Sequence, residues 1–170
     1  MGSVGVSSSG SPYDRLGGLL DRGVQPASIE RYSVMVADAT YPMAEIKGTA
    51  LRSAGVRSVR LSAGLAHSIE CLKRQTFDLI LVDEMVTPTG FASFVAQIRD
   101  QNPGRNAHTP ILVAAAHLDE ALMRLANGAH ISLVLQKPFS GNDIRSKIAQ
   151  LMSRKAYQIS PKSVVEEVLL

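Results

Sequence analysis

Residues 78–83 read DLILVD, in which four consecutive apolar residues, Leu79–Val82, stand between two aspartates. A run this short and wholly apolar is typical of a strand that is buried on both faces, as the strands of parallel sheets are. Parallel strands are joined by crossover connections, which are usually helices. The stretch therefore predicts an α/β fold in which helices cover both faces of the sheet.

The segments around this strand alternate between short apolar runs and stretches with helical spacing. We expect strands over 32–37, 56–61, 79–82, 111–116 and 131–135, and helices over 42–54, 65–74, 91–99, 118–127 and 143–152. In the first helix, the buried face is predicted to consist of Met43, Ile46, Ala50 and Leu51. Five strands that alternate with five helices indicate an open, doubly wound parallel sheet, whose working groups lie at the carboxyl ends of the strands.

The ends of the chain differ in composition from this central part. Residues 1–31 begin with a Gly/Ser-rich stretch and are predicted to be a flexible arm, in which Leu16, Leu19 and Leu20 could form a short docking helix. The folded domain is expected over 32–153, and 154–170 is expected to be a tail. That tail is interpreted either as frayed or as a short partner-binding element.

Composition narrows the class of protein further. The chain has 170 residues, 45% of them hydrophobic and 19% charged, which is enough for one domain with a real core. Its single cysteine, Cys71, excludes internal disulfides and cysteine-clustered zinc sites, so we expect a reducing, cytoplasmic setting. A membrane-spanning run and a secretory signal are not apparent in the sequence. The net charge of +3 is spread along the chain without aromatic partners, so nucleic-acid binding is not expected.

Three polar residues stand where the predicted strands end. Asp38 ends the first strand, Asp83 ends the third, and Lys137 begins the KPF sequence after the fifth. A pair of carboxylates at this edge could hold Mg²⁺. An aspartate can also act as a nucleophile toward a phosphoryl group, with a lysine as the compact positive charge that faces the phosphoryl oxygens.

The order of these motifs resembles the receiver domain of the response regulators of bacterial two-component systems, in an atypical form. The resemblance covers roughly 32–153 and rests on DLILVD, Pro88 and Gly90, TPILVAAA, Gly128-Ala129 and KPF. It implies a flavodoxin-like fold. It further implies that Asp83 is the phospho-acceptor, that Lys137 contacts the phosphoryl group, and that Mg²⁺ is held by Asp38, Asp83 and the carbonyl of Met85.

The sequence departs from the family pattern at three positions that serve this chemistry. Ala37 replaces one of two adjacent acids, so we expect weak Mg²⁺ affinity. Ala115 replaces a Ser or Thr, and Val134 replaces an aromatic residue. Without that hydroxyl and that ring, phosphorylation should lose its usual conformational readout.

Three functions follow as competing hypotheses. The first is a stand-alone receiver, not an enzyme, that accepts a phosphoryl group on Asp83 from a histidine kinase or phosphotransfer protein and then binds a downstream protein. Its docking face, which could also form a homodimer, would be built from 118–127, 131–135 and 143–152. The second is a pseudo-receiver adaptor that works without phosphorylation. The third is a binder of a nucleotide second messenger through Arg52, Arg57 and Arg60.

Each of these residues also has an ordinary structural interpretation. Asp38 and Asp83 could cap helices or lie in loops, and Lys137 could be a solvated loop lysine. Cys71 is interpreted as a small packing residue. The histidines show no metal-like spacing and are expected at the surface or at helix caps: His67, His108, His117 and His130.

Overall fold

A computed structural model describes residues 28–101, 104 and 106–158 as one sheet with helices on both faces. The parallel strands are β1 Ser33–Asp38, β2 Ser58–Ala63, β3 Leu79–Asp83, β4 Ile111–Ala115 and β5 Leu133–Gln136. The helices are α1 Tyr41–Ser53, α2 Gly64–Arg74, α3 Gly90–Gln101, α4 Glu120–Gly128 and α5 Gly141–Gln158. The strand order β2-β1-β3-β4-β5 is flavodoxin-like, which confirms the doubly wound fold predicted from the sequence.

Two apolar clusters lie on opposite faces of the sheet, as the wholly apolar β3 predicts. Leu79 and Leu81 point to the face that is covered by α1 and α5. Ile80 and Val82 point to the face that is covered by α2, α3 and α4. Because successive side chains of a strand alternate between faces, one uninterrupted apolar strand serves both clusters.

The buried face of α1 differs from the prediction. Met43 and Ile46 were expected in the core, but both are exposed, Ile46 by 62%. The face that packs on the sheet carries Ala44, Lys47, Gly48 and Leu51. Small residues let the helix approach β2 closely: a Cβ on Gly48 would lie 2.8 Å from Leu61 Cδ2. Close packing at Gly48, together with the ion pairs of Lys47, therefore decides which face of α1 turns inward.

The structure extends the folded region past both predicted ends of regular structure. Ile29–Arg31 forms a 3-10 turn, and Ile29 packs against the cluster under α1 and α5. At the other end, α5 continues to Gln158 instead of ending near 152. The three arm leucines and 159–170 lie outside the described residues. Within the described part, no helix has the length and apolar character needed to cross a bilayer.

Candidate functional site

The strand ends bring the predicted polar residues to one edge of the sheet. Asp38 and Asp83 terminate the neighbouring strands β1 and β3, whose register pairs Ala37 with Val82. Lys137 follows β5, and its Nζ lies 3.0 Å from Asp83 Oδ2. Asp38 joins the group through a further lysine and not through Lys137.

That further lysine is Lys47, on the inward face of α1. Its Nζ lies 2.6 Å from Asp38 Oδ2 and 2.9 Å from Asp83 Oδ2, so one ammonium bridges the two carboxylates. Lys47 is only 3% exposed. The sequence analysis missed it, because lysines usually lie in solvent. Its spacing from Ala44 and Leu51, three and four residues away, is the signal that could have placed it on the buried face.

The Asp83 carboxylate is bound on both oxygens. Its Oδ1 accepts the N–H of Met85 at 2.9 Å, and its Oδ2 faces the ammonium groups of Lys47 and Lys137. Burial by itself would raise the pKa of Asp83, but the hydrogen bonds from Lys47, Met85 and Lys137 outweigh it and hold the pKa below its usual value. The group is therefore ionised at neutral pH although it is buried.

Asp38 is bound on both oxygens as well. Its Oδ1 accepts the N–H of Ala39 at 2.7 Å, while its Oδ2 accepts from Lys47. A buried carboxylate is stable only when its charge is paired and its lone pairs are used. Here both conditions are met within the chain itself.

Glu84 is a second residue that the sequence analysis did not single out. Its Oε1 accepts the N–H of Ala116 at 2.6 Å and lies 3.4 Å from Lys137 Nζ. Burial lowers the pKa of Lys137, but hydrogen bonding and charge from Asp83 and Glu84 raise it to a net value above the ordinary one. Because Ala116 follows β4, Glu84 ties the end of β3 to the loop that leads to α4.

The arrangement does not fit a Mg²⁺ ion. Mg²⁺ requires oxygen ligands at about 2.0–2.1 Å in octahedral geometry. The ammonium of Lys47 already takes up the two carboxylates that would supply them. Among the residues described, no three His, Cys, Asp or Glu side chains are grouped closely enough to hold a metal ion. The ligand set of Asp38, Asp83 and the Met85 carbonyl stays a prediction that this geometry does not favour.

The positions that depart from the family pattern lie where the motifs place them. Ala115 ends β4 and is completely buried, so an apolar methyl group stands where a hydroxyl was expected. Val134 lies in β5 and packs against the cluster under α2, α3 and α4. Neither side chain carries a polar group that could follow a change at Asp83.

The remaining candidates have local roles. Arg52 pairs with Glu45 at 3.0 Å, and Arg57 pairs with Glu30 at 2.9 Å, so these two arginines are directed to different partners. Cys71 is buried in the cluster under α2, α3 and α4. Burial raises the pKa of its thiol, which fits a packing residue better than a reactive one.

Comparison with known proteins agrees with the fold. The pattern of the response regulator receiver domain matches residues 34–149. A curated sensor histidine kinase, TmoS of Ectopseudomonas mendocina, is 30% identical over 90 residues, which are 53% of this chain but only 9% of the kinase.

Solved structures with the same fold include the chemotaxis protein CheY4 of Vibrio cholerae, with a TM-score of 0.62 and 19% identity over 71% of this chain and 98% of that one. A further one is the receiver domain of a Pseudomonas aeruginosa sensor histidine kinase, with a magnesium ion coordinated in its active site cleft. It has a TM-score of 0.60 and 21% identity over 72% of this chain and 98% of that one.

Proposed function

This chain belongs to the response regulator receiver domain family of two-component signalling, and from that premise we propose that Asp83 accepts a phosphoryl group and that the protein acts by binding other proteins. The observation that carries the proposal is the Asp83 carboxylate, which is ionised at the end of β3 and lies 3.0 Å from the Lys137 ammonium. The donor would be a histidine kinase or a phosphotransfer protein. Stand-alone action, which we expected from the sequence, stays a prediction.

The proposed step uses groups that already face one another. Asp83 Oδ1 has one hydrogen bond, from Met85, whereas Oδ2 faces two ammonium groups, so Oδ1 is the freer nucleophile. It attacks the phosphorus of a phosphohistidine. A phosphorus–oxygen bond forms while the phosphorus–nitrogen bond breaks. The electron pair of the broken phosphorus–nitrogen bond goes to the imidazole nitrogen, which takes up a proton from solvent.

Lys137 supports this step through its charge. The transition state of phosphoryl transfer spreads negative charge over the equatorial oxygens, and a lysine beside them stabilises that charge. Mg²⁺ would supply the same stabilisation if Asp38, Asp83 and the Met85 carbonyl held it. Because Lys47 already pairs with both carboxylates, we do not expect Mg²⁺ to take this position in the wild-type chain.

The output surface of this proposal is the face formed by α4, β5 and α5. Leu118, Met123 and Leu125 are large apolar residues on or just before α4, and all three are exposed. A groove of about 500 Å³ includes one of them, Leu118, in its lining together with Val134 and Lys137. Exposed apolar groups at such a groove are typical of protein-binding surfaces. A downstream protein or a second copy of the chain would dock there.

Phosphorylation is tested by incubating the full chain with a phosphohistidine-containing phosphotransfer protein and measuring its intact mass. We expect the mass to increase by one phosphoryl group, and hydroxylamine to remove it, as it does from an acyl phosphate. Asp83→Asn is the matched control and should gain nothing. No mass gain in the wild-type chain, or an equal gain in the variant, would contradict the proposal.

A second candidate function, an adaptor that works without phosphorylation, is favoured by Glu84. Its carboxylate already accepts the Ala116 N–H and faces Lys137, so the loop after β4 is held by a negative group that the chain supplies itself. In this candidate the docking face is presented constitutively. Ala115 and Val134, which lack the polar group and the ring of the family, agree with such a fixed surface.

The adaptor candidate predicts that Glu84 controls the loop after β4. Glu84→Ala should speed hydrogen exchange of the Ala116 amide by roughly two- to tenfold, since that N–H loses its acceptor; this range corresponds to about 0.5–1.5 kcal/mol, the net contribution of a typical hydrogen bond. Glu70→Ala, which removes an exposed glutamate of α2, is the control. Unchanged exchange in Glu84→Ala would count against a constitutively held loop.

A further inference from the structure

We propose that Lys47 is the resident cation of the acceptor pocket, and that its ammonium takes the position where a receiver would bind Mg²⁺. The inference deepens the proposed function and, in its catalytic consequence, rests on the role of Asp83 given there. It predicts a pocket that does not take up Mg²⁺ and an acceptor aspartate that reacts without it.

The geometry of Lys47 is that of a bridging cation. One nitrogen lies within hydrogen-bonding distance of an oxygen from each aspartate, 2.6 Å from Asp38 and 2.9 Å from Asp83. The two aspartates come from neighbouring strands, so their carboxylates would repel each other without a positive charge between them. Lys47 supplies that charge from α1, which begins three residues after Asp38.

The charge of the pocket is largely compensated while Lys47 is in place. Because Ala37 stands where a second acid was expected, β1 contributes one carboxylate to this edge. Asp38 and Asp83 face the ammonium groups of Lys47 and Lys137, and Glu84 lies beside Lys137 at 3.4 Å. A divalent ion added beside Lys47 would bring two positive charges to a site with one carboxylate charge left to balance, which is unfavourable where the site is buried.

Burial holds the ammonium in place. The side chains of Lys47, Asp38 and Asp83 are 4%, 5% and 8% exposed, so none of them is free to turn into solvent without opening the pocket. Displacement by Mg²⁺ would require the Lys47 side chain to leave the space between α1 and the sheet, while both carboxylates keep their positions. Because Ala44 and Gly48 are small, this part of α1 packs close to the sheet and leaves little room for such a movement.

The test is a titration of the full chain with millimolar MgCl₂, followed by thermal unfolding and by amide NMR signals of Ala39 and Met85. For the wild-type chain we expect no change in the unfolding temperature or in the two amide signals. In Lys47→Met, where the two carboxylates lose their ammonium, Mg²⁺ should raise the unfolding temperature by about 5 °C at about ten times its Kd. Lys73→Met, a substitution of an exposed lysine, is the matched control and should behave as the wild type does.

The wild-type titration decides the inference even if Lys47→Met does not fold. Mg²⁺-dependent signal shifts or stabilisation in the wild-type chain would overturn it. Lys47→Gln, which keeps a hydrogen-bonding group, provides a second variant in which Mg²⁺ should raise the unfolding temperature. If Mg²⁺ stabilises neither variant, the carboxylates do not form a cation site and the inference fails.

A phosphorylation assay in EDTA separates this inference from the proposed function. If Asp83 gains a phosphoryl group equally in EDTA and in Mg²⁺, both the proposed function and the role of Lys47 are supported. A gain only in Mg²⁺ supports the proposed function and overturns the role of Lys47. If no gain occurs in either condition while Mg²⁺ stabilises Lys47→Met alone, the phosphorylation proposal fails and the placement of Lys47 stands.

Discussion

At the scale of single residues, the pocket depends on a lysine that bridges two aspartates in a nearly dry environment. Such a buried ion pair contributes little net stability compared with apolar packing, but removal of one partner leaves the other as an unpaired buried charge. A substitution of Lys47 should therefore lower the free energy of unfolding.

We expect Lys47→Met to lower the free energy of unfolding by about 3–5 kcal/mol, because it leaves Asp38 and Asp83 as neighbouring buried carboxylates. Urea unfolding of wild type and variant without divalent ions measures the difference. Lys73→Met should change the same free energy by less than about 0.5 kcal/mol, as exposed sites do. Equal, small losses in both variants would mean that Lys47 is not a buried bridge.

The lowered pKa of Asp83 predicts a defined dependence of stability on pH. Between the folded and unfolded pKa values of Asp83, the unfolded chain binds more protons than the folded one. The contribution of ionised Asp83 to the free energy of unfolding is complete above the usual aspartate pKa of about 4. It is lost as the pH falls through the lower pKa that Asp83 has in the folded state. Unfolding measured from neutral to acidic pH should show this loss, and Asp83→Asn should flatten the curve in that range. An unchanged acid slope in the variant would contradict the assignment.

Three of the five polar side chains at this site could be predicted from the sequence. Asp38, Asp83 and Lys137 could be predicted because they follow apolar strands, and parallel strands end at a common edge. Lys47 and Glu84 could not, because their roles depend on tertiary contacts. A lysine on a helix and a glutamate after a strand are normally solvated. Only the packing of α1 gives Lys47 a buried partner, and only the course of the loop after β4 brings the Ala116 N–H to Glu84.

At the scale of elements, periodicity located all five helices but misassigned part of the buried face of one: in α1, Leu51 is buried as predicted, whereas Met43 and Ile46 are exposed. The helices α2 and α3 bury the apolar residues that the spacing selects, such as Ile69, Phe91 and Ile98. In α1 the larger apolar residues Met43 and Ile46 point outward instead. Hydrophobic spacing predicts a face only when the buried positions are large and apolar, whereas α1 approaches β2 through small residues.

Two isoleucines on helices test this assignment directly. Ile144 on α5 is completely buried, whereas Ile46 on α1 is 62% exposed. We expect Ile144→Ala to lower the free energy of unfolding by about 2–5 kcal/mol, since it opens a cavity in the core. Ile46→Ala should change it by less than about 0.5 kcal/mol. Denaturant unfolding of both variants gives the comparison, and a large loss in Ile46→Ala would restore the face predicted from the sequence.

At the scale of the whole molecule, the acceptor pocket and the proposed docking face lie at different parts of the sheet but share Lys137, which contacts Asp83 and also lines the groove of the docking face. The pocket lies at the ends of β1 and β3 near the centre of the sheet, whereas α4, β5 and α5 lie around the edge strand. The alternation of strands and helices was enough to predict this topology, because right-handed crossovers and buried central strands leave few alternatives. What it could not predict is whether the two regions are coupled, because that depends on individual side chains.

The contacts of the loop after β4 predict weak coupling between these regions. Ala115 offers no hydroxyl, and Glu84 already holds the N–H of Ala116. After phosphorylation, amide signals of Ala39 and Met85 should therefore move, while those of Leu122–Ala126 on α4 should move far less. NMR spectra of the full chain before and after addition of a phosphoryl donor measure both. Large shifts along α4 would show that coupling takes a route other than Ala115 and Val134.

Lys47 is inferred to occupy the cation position between Asp38 and Asp83. A crystal structure of the full chain, grown in millimolar MgCl₂, tests this placement. We expect the Lys47 ammonium within hydrogen-bonding distance of both carboxylates and no metal ion between them. A magnesium ion bound to Asp38 and Asp83, with Lys47 turned away, would contradict it.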